Sequence, residues 1–190
     1  MYKVVAVTNR LLCHGEFLDQ VQKIVNSGVY GIILREKDLG QEAYYQLAKK
    51  VQKICENTKT NCILHTHIEV ARKLGISRIH MPLAEARKRQ WDFAGFEEVG
   101  MSIHSIEEAN EAINLGATYL TAGHIYPTDC KKGVPARGLE FLKEVCDHVS
   151  IPVYAIGGMT LDKIPDVIEA GASGACIMSG FMNGMVNLEV

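Results

Sequence analysis

The sequence has no excess of either charge: 20 Lys and Arg stand against 22 Asp and Glu, for a formal net charge of -2. A chain without a positive field has no long-range attraction for nucleic acid, and the short Arg87-Lys88-Arg89 cluster reads as a solvated face. Long hydrophobic runs are also missing. The apolar start Val4-Val5-Ala6-Val7 meets Asn9-Arg10 before reaching signal-peptide length, and no later segment approaches a membrane span. The six cysteines (Cys13, Cys55, Cys62, Cys130, Cys146 and Cys176) contain no C-x-x-C pair and no tight metal-ligand spacing. Cys62 and Cys176 sit inside apolar runs, where a thiol behaves as a small hydrophobe. Linkers, low-complexity tracts and a second composition regime are absent too. The expectation is one cytoplasmic domain spanning 1–190, with no nucleic-acid and no membrane partner.

What is present is alternation. The chain is 190 residues long and 47% hydrophobic, enough to bury one substantial core. Short β-branched runs predict strands at Lys3–Val7, Gly31–Leu34, Cys62–His65, Arg78–His80, Glu98–Ser102, Thr118–Thr121, Val153–Ile156 and Ala175–Met178. Between them, apolar residues at helical spacing predict helices at Phe17–Asn26, Gln41–Asn57, Ile68–Leu74, Ile106–Leu115, Leu139–His148 and Leu161–Glu169. Phrases such as Lys73-Leu74-Gly75 and Ala170-Gly171-Ala172 end those helices on glycine. Repeated βα units of this kind predict a (β/α)8 TIM barrel. Such barrels usually need about 250 residues, so this one requires short loops, a weak fourth helix at Leu83–Gln90 and a reduced last helix within Phe181–Val190.

Active-site groups of such barrels lie just after each strand, which directs attention to a few loops. Arg35 and Lys37 follow the second strand, and alternation aims them to one side, where two cations could hold a phosphate or carboxylate. His65 and His67 follow the third strand and His80 ends the fourth; their spacing could hold zinc, but no carboxylate joins them, which argues against a metal. Ser102, at the end of the fifth strand, is placed for substrate contact, whereas Ser105 of Ser105-Ile106-Glu107-Glu108 reads as a helix cap. The loop Gly123-His124-Ile125-Tyr126-Pro127-Thr128-Asp129-Cys130-Lys131-Lys132-Gly133 gathers an imidazole, a carboxylate, a thiol and two ammonium groups. His124 either moves protons or orders its own loop. Cys130, with only Lys131 and Lys132 to favour a thiolate, ranks behind it as a nucleophile. Gly157-Gly158 and Met178-Ser179 occupy the loops after strands seven and eight, the usual phosphate site of this architecture.

With those residues in view, the chain resembles the TenI and thiamine phosphate synthase superfamily over nearly its whole length. The carrying segments are Val7-Thr8-Asn9-Arg10, Leu34-Arg35-Glu36-Lys37, Gly100 through Ala109, the His124 loop and Ala155-Ile156-Gly157-Gly158-Met159. The synthase branch carries an Asn-Asp pair after the third strand and a Gly-Gln-x-Asp phrase after the fourth, whose carboxylates hold magnesium; here His65-Thr66 and Pro82-Leu83-Ala84-Glu85 stand there. Synthases usually have proline at the position of His124, whereas the TenI branch is similar to this chain there. The resemblance therefore implies a thiazole tautomerase of thiamin biosynthesis, an isomerase that aromatises a thiazole carboxylate phosphate without metal or organic cofactor. His124 would be the general acid/base; Arg35, Lys37, His65, Ser102 and Lys131 would contact substrate; and Gly157, Gly158, Met178 and Ser179 would cradle the phosphate. The thiazole phosphate would be the small-molecule partner, with a homo-oligomer as a possible assembly. The alternatives are a thiamine phosphate synthase, which is a transferase, and a non-catalytic phosphate-ligand-binding or regulatory protein.

Overall fold

The computed structural model describes residues 2–88, 93–128 and 133–184. Eight strands, β1 (Lys3–Val7), β2 (Gly31–Leu34), β3 (Asn61–His65), β4 (Arg78–Pro82), β5 (Glu98–Ile103), β6 (Tyr119–Gly123), β7 (Val153–Ile156) and β8 (Gly174–Ile177), pair in parallel in sequence order. Pairing of Lys3 with Gly174 and of Ala6 with Ile177 returns β8 to β1 and closes the barrel. The (β/α)8 barrel read from the sequence is the observed fold.

Two shells of apolar side chains hold it. Inside the barrel Val5, Val7, Ile33, Ile63, Tyr119, Tyr154 and Cys176 pack together, the inward half of each strand's period-two alternation. Outside, the other half meets the helices. Helix α1 (Phe17–Asn26) buries Val21, Ile24 and Val25, and α2 (Gln41–Cys55) buries Tyr44, Ala48, Val51 and Cys55, a stripe at helical spacing. Helices α3 (Ile68–Leu74), α4 (Leu83–Lys88), α5 (Ile106–Asn114) and α6 (Gly138–His148) continue the ring.

Most predicted elements differ from those observed only by end residues, and the larger differences have local causes. Helix α2 stops at Cys55 rather than Asn57 because Glu56 is extended and Asn57 adopts a positive φ of 60°. The predicted helix Leu161–Glu169 is a 3-10 turn, Leu161–Lys163, followed by α7 (Ile164–Glu169). Pro165 has no N–H to give the Leu161 carbonyl, so that oxygen accepts from Ile164 one residue earlier. The last helix is reduced to α8 (Ser179–Met182), where Phe181 is fully buried and its carbonyl accepts 2.6 Å from the Gln20 side chain of α1. No helix among the described residues is long and apolar enough to cross a membrane.

Candidate active site

The carboxyl ends of β1 and β2 are tied together by a buried carboxylate. Glu36 accepts from the Thr8 hydroxyl at 2.7 Å and from the Arg10 backbone N–H and guanidinium at 3.1 Å, while Thr8 Oγ1 accepts from the Arg35 N–H at 2.9 Å. Asp38 takes the rest of the Arg10 guanidinium, at 2.6 and 2.5 Å. The pairing raises the Arg10 pKa and holds that of Asp38 below the usual carboxylate range. Because β2 ends at Leu34 and Glu36 is drawn inward, strand alternation does not continue through the triplet. The expected convergence of Arg35 and Lys37 is therefore corrected: Arg35 lines one cavity and Lys37 another.

The first cavity, of about 200 Å³, lies at the ends of β5 to β8 and brings together Arg35, Ser102, His124, Gly157, Gly158, Met178 and Ser179. The Arg35 guanidinium rests 3.9 Å from the Met178 sulfur. Gly157 and Gly158 have φ of 93° and 65°, and a Cβ on either meets the His124 loop: the His124 Cβ for Gly157, the Pro127 carbonyl at 2.5 Å and Tyr126 Cβ at 2.8 Å for Gly158. Only glycine permits both the conformation and the approach. The Ile125 and Tyr126 N–H groups then bond to the Ile156 and Gly157 carbonyls at 3.0 and 3.1 Å, fixing one loop on the other. His124 is 4% exposed, and its Nε2 lies 3.2 Å from the Val134 carbonyl. A carbonyl only accepts, so Nε2 carries a proton, and in the neutral form of the ring Nδ1 holds the lone pair.

Below this cavity a chain of polar groups crosses the barrel. His80 Nδ1 lies 3.1 Å from Tyr119 Oη, its Nε2 lies 2.9 Å from Ser102 Oγ, and the Thr121 hydroxyl donates 3.0 Å to the same Ser102 oxygen. Burial lowers the His80 pKa to about 3 and pushes the Tyr119 phenol well up, so both stay neutral. Tyr119 and Thr121 had no site role in the sequence, and His80 only that of a zinc ligand argued against; the available signal was a histidine, a tyrosine and a threonine at inward strand positions.

A second cavity, of about 270 Å³, is bounded by Glu36, Lys37, His65, Thr66, His67, Pro82 and Glu85. Thr66 has φ of 71°, which breaks the extended pair expected of His65 and His67. His65 Nδ1 instead meets the Thr66 hydroxyl at 2.8 Å, and His67 stacks on the Tyr44 ring at 3.9 Å. Burial, followed by the nearby His80, Arg35 and Lys37, drives the His65 pKa well below its ordinary value. Tyr44 sets this corner. Its hydroxyl donates to the Leu34 carbonyl at 2.6 Å and accepts the His65 N–H at 2.9 Å, joining the ends of β2 and β3. Ser105 acts as expected, accepting the Glu108 N–H at 3.2 Å while the Glu108 carboxylate accepts the His104 N–H at 2.6 Å. Lys131, expected at the substrate, and Cys130 lie outside the described residues, as does Arg89.

The profile of the TMP-TENI family, described as thiamine monophosphate synthase, matches residues 4–181. The chain belongs to that family. It is 36% identical over 189 residues to the thiamine-phosphate synthase of Clostridium acetobutylicum, covering 96% of this chain and 88% of the relative. The thiamine-phosphate synthase 2 of Streptococcus pneumoniae is 34% identical over 183 residues, covering 93% and 85% of the two chains. Among solved structures, the thiamine phosphate pyrophosphorylase of Pyrococcus furiosus superposes with a TM-score of 0.82 at 26% identity, over 97% of this chain and 89% of that one. These relatives overturn the expected isomerase: they are named as synthases, which are transferases, and not as thiazole tautomerases. The expectation rested on His124 in place of proline and on the altered magnesium-binding phrases after β3 and β4, and those local exchanges do not outweigh similarity along the whole chain.

The family also implies magnesium, and the donor set at the second cavity does not fit it. Magnesium requires oxygen ligands, usually carboxylates. Of the two carboxylates at this cavity, Glu36 is engaged by Thr8 and Arg10, and Glu85 lies 2.7 Å from the Lys88 ammonium. Among the described residues no three His, Cys, Asp or Glu side chains are grouped to share an ion. His80 could not complete a zinc site with His65, because both its nitrogens are engaged by Tyr119 and Ser102.

Proposed function

We propose that this chain is a thiamine-phosphate synthase: a transferase that joins hydroxymethylpyrimidine diphosphate to a thiazole phosphate and releases pyrophosphate. The observation that carries the reading is the 36% identity to a thiamine-phosphate synthase across 96% of the chain. The presence of two cavities at the carboxyl end of the barrel agrees with it, since a transferase must hold two substrates where an isomerase holds one. In this reading the thiazole phosphate occupies the cavity of Arg35, Ser102 and His124, its phosphate against the backbone of Gly157, Gly158 and the Met178-Ser179 turn. The diphosphate ester reaches the second cavity, where Lys37 supplies positive charge. His124, with Nε2 bound to Val134, offers Nδ1 as an acceptor to the thiazole.

Incubating the purified protein with both substrates and following pyrophosphate and thiamin phosphate tests the assignment. Equal amounts of the two products are expected. A folded protein that forms neither product refutes it, and retained binding of the thiazole phosphate in that case would identify a ligand-binding protein, the reading that the unsuitable magnesium donors favour.

A further inference from the structure

The polar chain across the barrel fixes the direction of every proton in it. Among the described residues, the one hydrogen-bond partner of Tyr119 Oη is His80 Nδ1, and both residues are buried. The phenol must donate, because accepting would leave its own proton without a partner away from water. Nδ1 is then the lone-pair nitrogen, and in a neutral imidazole the proton is on Nε2. That proton goes to Ser102 Oγ, 2.9 Å away. Thr121 is fully buried and its hydroxyl also donates to Ser102 Oγ, at 3.0 Å. Two donors fill both lone pairs of the Ser102 oxygen, so its own proton has to point elsewhere. Half-buried Ser102 lines the first cavity.

We infer that Ser102 is a locked hydrogen-bond donor to the substrate, that His80 and Tyr119 are the positioning residues that lock it, and that the substrate sets an unprotonated acceptor against it, an oxyanion or a ring nitrogen. Gly100 makes room for the device: a Cβ there would run into the Tyr119 ring, its hydroxyl and His80 Nδ1. The inference rests on the proposed function only in taking this cavity as the substrate site. A group presenting N–H or O–H to Ser102 would face a donor with no acceptor and is excluded by the same polarity.

Two measurements test it. Long-range nitrogen–proton NMR of the His80 ring, on the protein without substrate, reads the tautomer directly; Nε2–H with an unprotonated Nδ1 is expected. In Tyr119→Phe the lock is released, and the two ring nitrogens should move toward averaged shifts, a change that a merely structural tyrosine would not produce. In Ser102→Ala, loss of the hydrogen bond should raise KM for the thiazole phosphate about threefold or more for a ring nitrogen and about tenfold or more for an oxyanion, with kcat within about twofold. An Nδ1–H tautomer in the unaltered protein, or a KM in Ser102→Ala within about twofold of the parent, overturns the inference. If neither substrate is turned over, the synthase reading falls, while the tautomer still decides the donor assignment.

Discussion

Replacing Tyr44 with phenylalanine removes one oxygen atom and tests how the fold holds its active-site corner. Tyr44 is fully buried, and its hydroxyl serves two backbone groups, the Leu34 carbonyl at 2.6 Å and the His65 N–H at 2.9 Å. The ring remains in Tyr44→Phe, so the stacking on His67 and the apolar contacts of α2 are retained. What is lost is one hydrogen bond to each strand end, with a buried carbonyl and a buried N–H left unpaired. Each unsatisfied group costs about 1–3 kcal/mol, and partial relaxation makes roughly 2–4 kcal/mol for the pair the working figure. With a urea m-value of about 2 kcal/mol/M, the unfolding midpoint should fall by roughly 1–2 M at unchanged m. Because β2 leads into Arg35 and Lys37 and β3 ends at His65, binding of the diphosphate substrate should weaken alongside. A midpoint shift below about 0.3 M would refute the claim that this hydroxyl joins the two strands, since a loss that small means that both backbone groups had found other partners.

Other consequences are sharper at the site than in the fold. Gly158→Ala places a Cβ against the Pro127 carbonyl at a φ of 65°, so affinity for the thiazole phosphate by calorimetry should drop at least about tenfold, while urea titration shows a loss of roughly 1–2 kcal/mol. The neutral burial of His80 makes stability depend on pH. Its folded pKa of about 3 lies below the unfolded value near 6.5, so the stabilisation is complete above pH 6.5 and is lost progressively as pH falls through that window. Between pH 6.5 and 5 the loss is about 2 kcal/mol, and His65, depressed in the same direction, adds to it; a urea midpoint that does not fall over this range contradicts the neutral assignment. Finally, the donor set at the second cavity predicts that pyrophosphate release survives a chelator within about twofold, and a strict requirement for added magnesium would show that ligands were recruited from beyond this cavity.

Repetition made the barrel legible. Eight apolar runs separated by helical spacing admit few arrangements other than a closed parallel sheet, and the boundaries erred where one residue overrode the pattern, as Pro165 does in α7 and Asn57 does after α2. The first cavity was legible for a similar reason, since the strand number of each loop places Ser102, His124, the glycine pair and Met178-Ser179 around one mouth. The second was not. Alternation fails where strands stop, and Glu36 turning toward Thr8 and Arg10 separated Arg35 from Lys37 in a way that strand spacing does not encode. The polar chain through His80 was hidden because its meaning lies in contacts between β4, β5 and β6, whose partners are far apart along the chain.

The two cavities also show why the branch of the family was hard to read from single residues. An exchange of proline for histidine at position 124 adds a group that can move protons, but the observed His124 spends Nε2 on its own loop, at the Val134 carbonyl. The acid of the pair after β3 gives way to Thr66, which removes a magnesium ligand, but the neighbouring position brings in a neutral imidazole beside Lys37, and His65 is held neutral in part by that positive neighbourhood. A neutral imidazole adds no negative charge to repel an incoming phosphate, whereas a carboxylate without its cation would. The replacement of that acid by Thr66, with a neutral His65 beside it, is therefore electrostatically coherent with an anion-binding cavity lined by Lys37, and it alters how charge is compensated at this corner.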